Sequence, residues 1–158
     1  MKYRLLTPEE LEELKPEFIN FLAANTITAD DYKRLQENDP EKVKELITIF
    51  SDIVMEKVLS KITFLEHRET NSLMAFECLD DRMVLIGLNI QGEANLKDDS
   101  FIKEINENPE KLNDLQVEIF KTEKPYRKEK EQEIFELVQS GAMVSDGNMY
   151  QLLKAIKQ

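Results

Sequence analysis

Over residues 1–62 the apolar positions recur every three or four residues, the spacing of a helix with one buried face. Leu11, Leu14, Phe18 and Leu22 form the first run. Thr7-Pro8-Glu9-Glu10 opens it. The Thr7 hydroxyl can accept from the Glu10 N–H, the Glu10 carboxylate can reach back, and Pro8 stands where no donor is needed. Pro16 removes one donor and crowds the preceding turn, which predicts a kink or two helices meeting near Lys15. Thr28-Ala29-Asp30-Asp31 opens a second short helix, with Ile27 and Tyr32 placed as its hydrophobic staple. Asp39-Pro40 opens a third by the same cap-plus-proline chemistry. That helix, about residues 40–62, carries Val43, Leu46, Ile47, Phe50, Ile53, Val54, Val58 and Ile62 as one stripe. Ile49, Met55 and Leu59 widen it, which predicts burial on more than one side or a partner surface.

Beyond residue 62 the period changes to two. Residues 63–69, 72–79 and 82–90 predict three antiparallel strands, joined by short turns at Thr70-Asn71 and Asp80-Asp81. The third is apolar almost throughout and should lie centrally. Residues 98–108 predict a short helix limited by Pro109. Leu115, Val117 and Ile119 alternate with Gln116 and Glu118, predicting a fourth strand over 115–121 with one wet face. Residues 124–140 predict a helix with Gly141 as its C-terminal cap, and Ser145 caps a last helix carrying Met149, Leu152, Leu153 and Ile156. The expected class is α+β: helices packed on one face of a small, mainly antiparallel sheet of about four strands.

Composition narrows the function classes. The chain has 158 residues, enough for one domain, and a net charge of −11. A single domain over 1–158 is expected, with a helical part (1–62), a part holding the strand meander, a short helix and a fourth strand (63–121), and C-terminal helices (122–158). No part is basic, which argues against nucleic acid as a partner, and an acidic surface disfavours anionic membranes. The first eight residues lack the apolar run of a signal peptide, and no apolar stretch is long enough to span a bilayer, so the expected address is cytoplasmic. One Cys and one His exclude a disulfide framework and a Cys/His zinc site within one chain.

Few residues offer chemistry. His67 and Glu69 share one strand face and could be two metal ligands or an oriented acid/base pair, with Glu66 adjacent. The plainer reading is a solvated strand end. Cys78 alternates with Met74 and Phe76, as a buried thiol would. Asp30-Asp31, Asp80-Asp81 and Asp98-Asp99 suit helix starts and a turn rather than a calcium loop. Gly87, Gly92, Gly141 and Gly147 form no phosphate-binding motif. Lys121, Lys124, Arg127, Lys128 and Lys130, with Tyr126 among them, are the one basic cluster, interleaved with Glu123, Glu129 and Glu131. At a helix start these cations oppose the dipole.

Several segments carry a family likeness: Met1-Lys2-Tyr3-Arg4-Leu5-Leu6-Thr7, residues 17–23, Ile27-Thr28-Ala29-Asp30, Phe50-Ser51-Asp52, Phe64-Leu65-Glu66 and Gly141-Ala142. In these the chain resembles, over nearly its whole length, a family of small acidic bacterial proteins known only as a domain of unknown function. The resemblance implies one full-length domain and carries no activity. In size, acidity and its three-strand meander the chain is also similar to type III secretion chaperones. Those have a further strand before the last helix and a shorter N-terminal helical region. The expected function is a non-enzymatic protein-binding or dimerising module with no cofactor. Ile49, Met55 and Leu59 would supply its contact face, and its partner would be a second copy or another protein. The alternative is a metal-binding protein or small enzyme using Glu66, His67 and Glu69.

Overall fold

A computed structural model describes residues 1–157. It divides into two compact units, Met1–Leu59 and the remainder from Ser60 onward.

The first unit is helical. α1 (Pro8–Glu13) begins with the expected capping box, in which Thr7 and Glu10 satisfy each other's backbone N–H groups. Leu14 then ends α1 and starts α2 (Lys15–Ala24), so Pro16 sits harmlessly in a first turn. α3 (Ala29–Asn38) begins with a second box, made by Thr28 and Asp31. α4 (Pro40–Ser60) starts where Asp39 accepts from the Lys42 N–H at 3.2 Å. Phe18, Leu22, Leu46 and Phe50 form the buried centre, with Ile27 and Tyr32 packed against it as a staple. The Phe18 ring meets Tyr32 edge-on and lies 5.0 Å from that of Phe50. Residues 2–6 run beside α4. The Asp52 carboxylate accepts from Lys2 N–H at 2.9 Å, and the fully buried Ser51 hydroxyl accepts from Leu6 N–H at 3.0 Å. The stripe of α4 is therefore less continuous than its sequence predicts. Leu46 and Phe50 are inside, while Ile49, Ile53 and Val58 are exposed and Ile62 lies past the helix end.

The second unit is a five-stranded antiparallel sheet in the order β4-β3-β2-β1-β5. β1 (Phe64–Arg68), β2 (Ser72–Cys78) and β3 (Arg82–Gln91) are the expected meander. The two turns close where Glu69 N–H donates to Ser72 and Leu79 N–H to Arg82. α5 (Asp99–Glu107) and a 3-10 turn (Pro109–Asp114) follow, then β4 (Gln116–Pro125), α6 (Lys130–Gln139), β5 (Met143–Val144) and α7 (Asn148–Lys157). Leu73, Ala75, Ile86 and Leu88 share one sheet face and pack with Ile102 and Ile105 of α5 and Met149 and Leu153 of α7. Each buried Leu, Ile or Met side chain among them contributes about 1.5–3 kcal/mol. α6 flanks the other face, where its Leu137 and the sheet residues Phe76 and Met83 line a recess of about 280 Å³.

The α+β class is as expected, with five strands rather than about four. The added strand, β5, is two residues long and pairs with Leu65 and Glu66 of β1. β4 runs four residues further than predicted because Thr122–Pro125 pair with Arg82–Leu85. α6 starts at Lys130, not Lys124, and α7 starts at Asn148, where Ser145 accepts from the Gly147 N–H and Asp146 from the Asn148 N–H.

Candidate functional site

The face proposed by the sequence is only partly at the surface. Ile49 is 43% exposed, Met55 is half-buried and Leu59 is 3% exposed. The helix explains the split: Met55 and Leu59 are one turn apart on a side well away from Ile49. Ile53, four residues from Ile49, is 53% exposed and lies directly beside it. Ile49 also borders an open depression of about 550 Å³ shared with Lys42, Glu45 and Thr48. Lys42 and Glu45 form an ion pair at its rim, 3.8 Å apart. Two isoleucines bordered by opposite charges can exclude water against a partner and fix its orientation.

The second candidate set does not converge. His67 Nε2 lies 3.4 Å from Glu69 Oε1, as the shared strand face predicts. Glu66 points to the opposite face, where it is 3% exposed. Arg68 holds it there, donating to Glu66 Oε2 from Nε at 3.0 Å and from Nη2 at 2.9 Å. The third guanidinium nitrogen reaches Asp99, in the first turn of α5, at 2.7 Å. A buried carboxylate needs such a partner, since an unpaired one is strongly destabilising. Glu66 thus fastens β1 to α5 and is not a neighbour of His67.

Cys78 is buried in β2, and burial pushes its thiol up to about 11, with Glu77 adding to the rise and Lys130 opposing it. It is protonated near neutrality, hence a poor nucleophile. The three acid pairs act as turns and caps. Asp31 closes its capping box, Asp98 accepts from Ser100 N–H at 2.9 Å, and Asp81 pairs with Arg82 at 3.0 Å.

The basic cluster is spread over the end of β4, the turn before α6 and the first residue of α6, Lys130, not along a helix. Lys128 pairs with Glu136, and Lys130 lies 3.7 Å from Asp80. The Glu133 carboxylate accepts from Arg127 N–H at 2.8 Å. Tyr126 donates its hydroxyl to the Leu79 carbonyl at 2.8 Å, and its burial raises the phenol well above its ordinary value.

One site escapes the sequence reading. Asn89, Gln91, Asn113, Gln116 and Glu118 line a cleft of about 670 Å³, with Leu112 and Leu115 as apolar lining. The register places Asn89 opposite Glu118 and Gln91 opposite Gln116, four polar side chains on one face. The signal was the alternation Asn89, Gln91 within an apolar strand, visible only once the partner strand is aligned. The amides of Asn89, Gln91, Asn113 and Gln116 can hydrogen-bond a polar ligand, and Glu118 is the one ionisable side chain among the lining residues.

The chain belongs to the family of unknown function DUF6495, which it matches over residues 1–158. No curated protein and no solved structure matches it.

Proposed function

We propose that this member of the family is a non-enzymatic protein-binding module of the cytoplasm, docking another protein on α4 around Ile49 and Ile53. The observation that carries the reading is this exposed pair: of the apolar residues of α4, Ile49, Ile53 and Val58 are exposed, and Ile49 and Ile53 stand one turn apart beside the charged rim. Apolar patches rimmed by charge are a common form of protein contact site. The acidic charge of −11 and the absence, among the described residues, of a helix long and apolar enough to cross a membrane are consistent with an aqueous setting.

Photo-crosslinking in the native cell tests it. A photoreactive residue at position 49 should give one discrete protein adduct, and Ile53→Lys should abolish it without changing the melting curve. A control residue at Lys33, exposed on α3, should give none. Position 49 giving no adduct, or the same adducts as position 33, would overturn the reading.

A further inference from the structure

β4 is an edge strand of ten residues, paired on one side with β3 and on the other with nothing in the sheet. Its last five residues, Lys121–Pro125, are all exposed. Among the described residues, no backbone hydrogen bond from a turn, loop or helix ends on residues 116–125. One row of N–H and C=O groups along β4 therefore faces outward, able to pair with another strand. The opposite edge of the sheet, β5, is only two residues long and offers no comparable template.

The side chains along β4 choose among occupants. Two copies of one strand pair antiparallel about a two-fold axis normal to the sheet, so that facing residues point to the same side. Centring that axis on Lys121 sets Lys121 against its own copy, and centring it on Glu123 does the same to Glu123. Centring it on Phe120 matches no opposite charges at all. Centring it on Thr122 sets Lys121 opposite the partner's Glu123, and Glu123 opposite the partner's Lys121. In the same register Thr122 faces the partner's Thr122, and Phe120 faces the partner's Lys124. Opposite charges, paired threonines and a cation near an aromatic ring are each favourable across strands. Arg82 on β3, 3.7 Å from Glu123, adds a second cation beside that carboxylate.

We propose that a second copy of this chain pairs with β4 in the Thr122-centred register, joining two sheets into one continuous sheet. This assembly is separate from the docking of another protein on α4. A strand-edge contact is small by the standards of stable dimers, so the association is concentration-dependent.

Charge reversal decides it. Light scattering of the purified full chain should rise from 18.5 kDa toward twice that mass as concentration increases. Lys121→Glu alone and Glu123→Lys alone should each stay monomeric, because each sets like charges opposite each other in both pairs. An equimolar mixture of the two variants should recover the dimer, and so should the double variant Lys121→Glu/Glu123→Lys. Recovery in the mixture also shows that both variants are folded. A wild-type chain that stays at 18.5 kDa at every concentration would overturn the pairing while leaving the α4 reading standing. Single variants that dimerise like the wild type, or a mixture that does not recover, would overturn it too.

Discussion

Two helix ends make the same turn with different residues. After α6, Gly141 has a φ of 114°, and the Gly141 and Ala142 N–H groups donate back to Val138 and Leu137. After α2, Thr26 has a φ of 60°, and the Thr26 and Ile27 N–H groups donate back to Ala23 and Leu22. Both are the left-handed helix ending that glycine favours. Gly141 was legible as a cap from sequence, whereas Thr26 was not, because a β-branched residue seldom adopts that conformation. Thr26→Gly should therefore stabilise the protein by about 1 kcal/mol in urea denaturation. A loss of stability would show that Thr26 is held by contacts that glycine cannot replace. Gly87 is required for space rather than torsion. It faces Phe120 across the β3–β4 pair, and a Cβ at Gly87 would stand 2.1 Å from the ring. Gly87→Ala should cost roughly 1–3 kcal/mol by overpacking. Adding Phe120→Ala should make the Gly87→Ala change nearly neutral in a double-mutant cycle.

Elements with a strong local signal were readable. Thr7, Thr28 and Asp39 all cap helices as their spacing predicts, since a cap is decided within four residues of chain. β5 and the end of β4 were not readable, for different reasons. β5 exists only through its pairing with β1, far away in sequence. Residues 122–125 are exposed on an edge strand, so no apolar alternation marks them. Their Lys and Glu content resembles a helix start. The first capping box also predicts a pH response. A hydrogen bond from Arg4, then the Thr7 N–H, holds the Glu10 carboxyl down at about 2, against an ordinary 4.5. A depressed carboxyl stabilises the fold above its unfolded value, and this contribution fades as pH falls from about 4.5 through about 2. NMR titration of Glu10 should show the low midpoint, and Arg4→Ala should raise it. Thr7→Ala should cost about 1 kcal/mol in thermal or urea unfolding. Removing the cation from Glu66 should cost more: Arg68→Ala leaves a buried carboxylate without its partner, a loss of about 3–5 kcal/mol. A change below 1 kcal/mol would show that Glu66 finds another donor.

At the scale of the whole chain, each unit carries its own apolar centre, one built on α2 and α4 and the other on the sheet. The change of hydrophobic period near residue 62 lies close to that division, although the sequence predicts a single domain over 1–158. The candidate site was less legible. Sequence spacing shows that Ile49, Met55 and Leu59 are apolar on a helix, but which of them meets water depends on neighbours contributed by distant segments. The amide cleft is hidden for the same reason, since its polar residues come from two strands and a turn. Cys78 sits in β2, the middle strand of the five. Its thiol should react slowly with an aromatic disulfide near neutrality, and labelling should accelerate with mild urea. Rapid modification of the native protein would contradict its burial. That shelter turns the only thiol in the chain into a stopwatch. With reagent raised until the rate no longer depends on it, each labelled molecule records one excursion of the central strand into water, so a colour change in a cuvette times how often the sheet breathes.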